Sequence, residues 1–161
     1  MRNTAPCILY AALKIQKENP DAVMVVAPSD HWIEDETEFL NNIKTSFEAS
    51  AKNNTLMTLG IQPDAPNTGY GYIQFQESSS DIKKVKKFTE KPNLATAKEF
   101  IASGDYLWNA GIFIWSTKSI LDAFKKHLPS MLTVLEGTNA IYNTDLEADF
   151  IKNNYEKCED I

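Results

Sequence analysis

The chain has 161 residues with a formal net charge of −6 at pH 7, and 43% of its residues are hydrophobic and 24% charged. The length suits one globular domain, the composition excludes disorder and coiled coil as its main class, and the charge argues against nucleic-acid binding. It contains neither the roughly 20-residue apolar stretch of a membrane span nor a signal peptide, so no membrane partner and a cytoplasmic location are expected.

The first elements in chain order are predicted from apolar runs and from helix-starting residues. Pro6 begins a helix, because proline suits the first helical turn. The unbroken apolar run 22–27 predicts a strand buried on both faces, as in a parallel sheet. A helix capped by Asp35 or Thr37 follows, and 55–61 reads as another buried strand.

The second half continues the alternation of strands and helices. Strands are predicted at 70–75 and 82–88, joined by a polar turn, and a short helix at 93–103. A strongly apolar strand at 107–115 is followed by a helical pattern from 117 onward. This alternation predicts an α/β fold with a mostly parallel sheet flanked by helices.

Asp30 is the first candidate functional residue, because it lies just beyond the end of a predicted buried strand. In open α/β sheets, ligands bind beyond the carboxyl ends of the strands, and a carboxylate there suits Mg²⁺. A simple turn after the strand explains Asp30 equally well. The neighbouring Ser29 and His31 do not make a hydrolase triad with it, because consecutive residues at a strand end point in different directions.

Two short segments combine residues that suit a sugar phosphate. Gly71, beside Tyr70, would let the backbone approach a ligand closely. Glu90 could accept hydrogen bonds from sugar hydroxyls, and Lys91 could neutralise a phosphate. Taken alone, each segment is better explained by an ordinary turn.

Asn109 and Gly111 interrupt the apolar strand at 107–115. A buried amide needs hydrogen-bond partners, and glycine weakens a strand interior unless something packs closely against it. A β-bulge and a bound ligand would each explain the pair.

Together, five segments resemble the sugar nucleotidyltransferase family, and within it the mannose-1-phosphate guanylyltransferase branch. In order they are RNTAP at 2–6, PSDH at 28–31, PNTGYGYI at 66–73, FTEKP at 88–92 and WNAGIF at 108–113. Each is weak alone, but their common order and spacing are strong. The resemblance covers nearly the whole chain and implies that 1–161 is the central part of a single catalytic domain, with an incomplete Rossmann-like, GT-A-like sheet.

The resemblance also implies an activity and a set of site residues. The activity is transfer of GMP from GTP to mannose-1-phosphate, with Mg²⁺ as cofactor, giving GDP-mannose and pyrophosphate. The catalytic residues would be Asp30, as the metal ligand, and Lys91, at the sugar phosphate. The substrate-binding residues would be Arg2, Asn3 and Thr4 near the nucleobase and ribose, Tyr70 and Gly71 in the sugar pocket, Glu90 at the sugar hydroxyls, and Asn109 and Gly111 on the adjacent strand.

Two motifs of the family do not occur in the 161 residues. They are a glycine-rich phosphate-binding loop, GGxGxRLxPL, and a second metal-binding aspartate in an SIDYxxME-like motif. We therefore expect an internal fragment that is inactive alone. The alternatives are a nucleotidyltransferase using UTP, dTTP or ATP, a fragment that only binds a ligand, and, more weakly, a metal-dependent glycosyltransferase. The sequence leaves a homo-oligomer open.

Overall fold

The computed structural model describes residues 3–137 and 141–160. The chain divides into two compact units, one formed by Met1–Met57 with Phe113–Ile161 and the other by Thr58–Ile112. The helices are α1 (Ala5–Glu18), α2 (Glu36–Lys52), α3 (Leu94–Ser103), α4 (Thr117–His127), α5 (Pro129–Glu136) and α6 (Glu147–Asn154). The strands are β1 (Val23–Val26), β2 (Leu56–Ile61), β3 (Tyr72–Phe75), β4 (Val85–Thr89) and β5 (Tyr106–Ser116). The predicted α/β class is confirmed.

Local signals in the sequence fix the ends of several helices. Asp35 is the N-cap of α2, and its carboxylate accepts a hydrogen bond from the Glu38 backbone N–H at 2.8 Å. Asn93 caps α3 in the same way. Gly104 ends α3 with a φ of +76°, a conformation that glycine adopts without steric cost. These contacts join residues only a few positions apart, which is why the sequence alone predicts them.

The predicted parallel sheet is wrong, because the strand pairings defined in register are antiparallel. In the first unit, β1 runs antiparallel to the end of β5, with Val23 opposite Ser116. In the second unit, β3 runs antiparallel to both β4 and β5. A continuous apolar segment predicts that the strand lies in apolar surroundings, but it does not predict the direction of the strand relative to its neighbours. The direction depends on which distant strand becomes the neighbour, and the short β3–β4 connection permits only an antiparallel pair.

The strands β1 and β2 are also less buried than predicted. Val25 in β1 is 43% exposed, and Leu56 in β2 is 52% exposed. Within the described residues, β1 pairs only with β5, so one edge of that strand lacks a neighbour. The apolar runs at these strands therefore overstate how much of each strand is covered.

The core of the first unit is formed mainly by helices. Helix α1 packs against α4 and α5, and α4 packs against α5. The buried side chains of this core include Leu9, Ala12, Trp115, Ile120, Phe124, Met131 and Leu135. None of the helices in 3–137 or 141–160 is both long and apolar enough to cross a membrane.

A buried carboxylate joins α6 to α1. Glu147, with its side chain only 8% exposed, accepts hydrogen bonds from Lys14 Nζ at 2.6 and 2.8 Å and from the Asn143 backbone N–H at 2.7 Å. The Tyr10 hydroxyl donates to the same carboxylate. The hydrogen bonds from Lys14, and then from Tyr10, lower the pKa of Glu147 to about 2.

The second unit is built around β3 and an aromatic cluster. Tyr72 is fully buried, and its ring centroid lies 5.4 Å from that of Phe100 on α3. Phe100 in turn stacks on Tyr106 at 3.9 Å. The Tyr72 hydroxyl donates to the Asn67 carbonyl at 2.9 Å. These contacts hold the start of β3, where three of the candidate residues meet.

Candidate functional site

Gly71, Glu90 and Asn109 form one row across the second unit. The antiparallel register of β3 places Gly71 opposite Glu90 after β4 and opposite Asn109 in β5. The Asn109 backbone N–H donates to the Gly71 carbonyl at 2.8 Å. The sequence separates these three residues by about 20 positions each, and antiparallel pairing brings them together.

The absence of a side chain at Gly71 makes room for the Glu90 carboxylate. A Cβ atom at Gly71 would lie 2.6 Å from Glu90 Oε2 and 3.5 Å from Asn109 Cβ. Its φ is not in the left-handed region, so the requirement is for space and not for backbone conformation. The close approach predicted for this glycine was to a ligand, and that stays a prediction; the group that lies against it in the structure is a carboxylate of the chain itself.

Asn109 and Gly111 are joined by a local hydrogen bond within β5. Gly111 has a φ of +69°, and its N–H donates to Asn109 Oδ1 at 3.1 Å. The Thr58 hydroxyl lies 3.3 Å from the same oxygen. The positive φ accounts for the glycine, and this hydrogen bond accounts for one end of the asparagine side chain. In the part of the chain that the structure describes, the Asn109 NH₂ group has no hydrogen-bond partner.

Glu90 and Lys91 stand side by side in an exposed turn. Their side chains are 70% and 66% exposed, and Lys91 Nζ lies 3.8 Å from Glu90 Oε1. An ion pair this exposed contributes little to stability, so both groups remain available to a ligand. Lys91 has a φ of +41°, which is strained for a residue with a side chain, and such strain concentrates at functional sites.

Aromatic side chains border the row. Tyr70 is 49% exposed and meets Trp108 edge-on, with ring centroids 5.0 Å apart and planes at 72°. Within the described residues, Trp108 Nε1 and Thr89 Oγ1 are buried without a hydrogen-bond partner. Unpaired buried polar atoms are uncommon in folded proteins. The Trp108 N–H and the Thr89 hydroxyl are therefore hydrogen-bonding groups that the fold itself leaves unused.

The remaining predicted site residues belong to the first unit. Asp30 lies exposed in a turn after β1. Its single carboxylate fits Mg²⁺, which takes one or two protein carboxylates and keeps water and phosphate as its other ligands. No group of three or more metal-binding side chains occurs in 3–137 or 141–160.

The start of α1 carries the predicted nucleotide-binding residues. Asn3 Oδ1 accepts a hydrogen bond from the Thr4 backbone N–H at 2.9 Å. Thr4 occupies the N-cap position of α1, but its side chain makes no capping hydrogen bond. Arg2 lies outside the described residues.

Thr58 is a site residue that the sequence analysis did not identify. Its hydroxyl contacts Asn109 Oδ1 and lies 3.1 Å from the Ile112 carbonyl oxygen. The signal in the sequence was a polar residue inside the apolar run of β2, the same signal that singled out Asn109. No local pattern, however, pairs residues 51 positions apart.

Comparison with known proteins gives a consistent result. Residues 1–155 match the family model described as nucleotidyl transferase. The xanthan biosynthesis protein XanB of Xanthomonas campestris pv. campestris (strain B100) is 42% identical over 130 residues, covering 81% of this chain and 27% of the relative. The mannose-1-phosphate guanylyltransferase of Escherichia coli (strain K12) is 40% identical over 152 residues, covering 90% of this chain and 32% of the relative.

A solved structure is similar over almost the full chain. It is a crystal structure from Thermus thermophilus, described as a mannose-1-phosphate geranyltransferase, with a TM-score of 0.85 and 31% sequence identity. The match covers 99% of this chain and 45% of that one. The chain therefore spans about a third or less of the curated relatives named above and less than half of this structural neighbour.

Proposed function

The chain belongs to the nucleotidyl transferase family, and from this premise we propose that it is the sugar-phosphate-binding part of a mannose-1-phosphate guanylyltransferase. The reaction joins GTP and mannose-1-phosphate and gives GDP-mannose and pyrophosphate. A phosphate oxygen of the sugar phosphate attacks the α-phosphorus of GTP in line, and pyrophosphate leaves. Because the attacking phosphate is already anionic, the reaction needs positioning and charge neutralisation and no general base.

The observation that carries the proposal is the row of Gly71, Glu90 and Asn109 beside Lys91. The Glu90 carboxylate lies over the Gly71 backbone and can accept hydrogen bonds from sugar hydroxyls. Lys91, 3.8 Å from that carboxylate, supplies a positive charge for the sugar's phosphate. A carboxylate and an amide side chain beside one glycine, with an ammonium group 3.8 Å from the carboxylate, match the hydroxyls and the phosphate of a sugar phosphate.

Asp30 would hold the Mg²⁺ ion, with the triphosphate and water as the other ligands. When bound, the ion would neutralise part of the negative charge on the phosphates. Asn3, Thr4 and Arg2, before or at the start of α1, are proposed to lie near the nucleobase and ribose, since backbone N–H groups at a helix N-terminus bind polar ligands.

The test is a calorimetric titration of the 161-residue chain with mannose-1-phosphate, repeated with Lys91→Ala. We expect binding by the wild-type chain and a loss of roughly tenfold or more in affinity in the variant, because a charge-assisted contact contributes about 1.5–3 kcal/mol. The control is Lys87→Ala, which removes a lysine of β4 outside the row. If wild type and Lys91→Ala bound mannose-1-phosphate with equal affinity, Glu90 and Lys91 would be part of an ordinary surface turn and not of a sugar-phosphate site.

A further inference from the structure

We propose that Thr58 is a positioning residue that holds the Asn109 side chain so that its NH₂ group faces the sugar. The site would then recognise two neighbouring hydroxyls, one that donates to Glu90 and one that accepts from Asn109. This inference rests on the proposed binding of a sugar phosphate. It adds to that function a residue that does not itself touch the ligand.

The orientation of the Asn109 amide follows from its neighbours. The Gly111 backbone N–H can only donate, so the side-chain atom 3.1 Å from it is the carbonyl oxygen Oδ1. The Thr58 hydroxyl lies 3.3 Å from the same oxygen and can donate to it. With Oδ1 turned towards Gly111 and Thr58, the NH₂ group is the end of the amide left for a ligand.

The row then carries one acceptor, the Glu90 carboxylate, and one donor, the Asn109 NH₂ group, on side chains that both border Gly71. Glu90 Oε2 and Asn109 Cβ lie 2.6 and 3.5 Å from the point that a Gly71 Cβ would occupy. An ionised carboxylate only accepts hydrogen bonds, and an amide NH₂ only donates. A sugar hydroxyl does both, so a pair of adjacent hydroxyls satisfies the two groups at once, whereas two carbonyl or two ammonium groups would satisfy only one.

Thr58 also contacts the Ile112 carbonyl, and the effect of this contact must be distinguished from the proposed positioning of Asn109. The Thr58 hydroxyl lies 3.1 Å from the Ile112 carbonyl, so its single proton is shared between the β5 backbone and Asn109. If Thr58 only supports the β5 backbone at Ile112, replacing it would lower stability without a specific effect on the ligand. If it positions Asn109, the effect would depend on the ligand's hydroxyls.

The experiment uses the ¹⁵N-labelled 161-residue chain and mannose-1-phosphate. Thr58→Val and Thr58→Ala both remove the hydroxyl, and Thr58→Ser keeps it as the matched control. The side-chain NH₂ signals of Asn109 are assigned by their disappearance in Asn109→Asp. Affinity is measured for mannose-1-phosphate and its monodeoxy analogues, and thermal unfolding is recorded for every variant.

We expect Thr58→Val and Thr58→Ala to weaken mannose-1-phosphate binding by roughly threefold to tenfold and to narrow the separation of the two Asn109 NH₂ proton signals. Thr58→Ser should restore both. One monodeoxy analogue, the one lacking the hydroxyl paired with Asn109, should bind wild type and Thr58→Val equally.

Two results would overturn the inference while leaving the proposed function intact. The first is wild-type affinity and unchanged Asn109 signals in the hydroxyl-free variants. The second is the same loss of affinity for every deoxy analogue, which would indicate general damage. If the wild-type chain does not bind mannose-1-phosphate, the proposed function and this inference both fall.

Discussion

At the residue scale, adding one methyl group at Gly71 should affect ligand binding much more than stability. The Cβ of an alanine there would meet Glu90 Oε2, which is the far end of an exposed and flexible side chain. The carboxylate can move away at little cost to the fold. Moving it, however, removes the acceptor that the proposed sugar site depends on.

We therefore expect Gly71→Ala to change the free energy of unfolding by less than about 1 kcal/mol. Its affinity for mannose-1-phosphate should fall by roughly tenfold or more, because a hydrogen bond to a charged acceptor is lost. Urea unfolding and calorimetric titration measure the two effects separately.

The matched control for this variant is Gly60→Ala in β2. Its Cβ would lie 2.5 Å from Leu107 Cδ1 and 2.9 Å from Leu107 Cβ, so Leu107 or the backbone of β2 must shift to accommodate it. This variant should lose more stability than Gly71→Ala. A Gly71→Ala chain that is equally destabilised but binds the sugar phosphate normally would contradict the assignment of the row.

At the scale of elements, Glu147 connects α6 to α1 through one carboxylate. The contact also involves the segment that enters α6, because the Asn143 amide side chain donates to the Lys14 carbonyl at 3.1 Å. The hydrogen bond to Glu147 raises the pKa of Tyr10 and is the largest cause of the raised pKa of Lys14. Glu147 is thus stabilised in its charged form, and it holds its two donors in their protonated forms.

This contact predicts a pH dependence of stability in acid. The folded-state pKa of Glu147, about 2, lies below its ordinary value of 4.5. Its contribution to stability is therefore fully present above pH 4.5 and is lost as the pH falls through 2. Glu147→Gln should be less stable than wild type by about 1–3 kcal/mol at neutral pH, because a charged acceptor of several donors is removed.

The difference between wild type and Glu147→Gln should shrink as the pH falls from 4.5 towards 2. Denaturant unfolding at a series of pH values measures it. Asp149→Asn removes an exposed carboxylate of the same helix and controls for the change in net charge. A difference that stays constant down to pH 2 would show that the carboxylate's charge does not hold the two helices together.

At the scale of the whole molecule, the candidate residues are distributed over both compact units. The row around Gly71 lies in Thr58–Ile112, and Asp30 with the start of α1 lies in the other unit. Neither unit contains a glycine-rich loop of the kind that cradles a triphosphate. The six glycines of the chain include only one closely spaced pair, Gly69 and Gly71, and Gly71 is in the row.

We expect the 161-residue chain to make no GDP-mannose. A triphosphate needs the backbone N–H donors of a glycine-rich loop, and the chain has none. Purified chain is incubated with mannose-1-phosphate, Mg²⁺ and GTP, UTP, dTTP or ATP, and pyrophosphate is assayed. No release above background is expected with any nucleotide.

The Escherichia coli relative serves as the positive control in the same assay. Turnover by the 161-residue chain close to that of the relative would show that the chain binds the triphosphate without a glycine-rich loop. That 1–161 is the central part of one catalytic domain stays a prediction.

The sequence by itself determined the elements and most of the candidate residues. The N-cap at Asp35 and the C-cap at Gly104 depend on a few consecutive residues, and the periodic apolar pattern of a helix is equally local. The motif at Glu90 and Lys91 could be recognised as a string of letters. Each of these signals is complete within one short stretch of chain.

Only the tertiary structure decided strand direction, strand burial and the partners inside the row. The antiparallel pairing of β1 with β5 joins residues about 90 positions apart, and the Thr58–Asn109 contact joins residues 51 apart. An apolar segment indicates that a strand has apolar neighbours. It does not indicate which strands those neighbours are, or whether they are parallel or antiparallel to it. Because such pairings are chosen among distant segments by the packing of the whole chain, no local pattern encodes them.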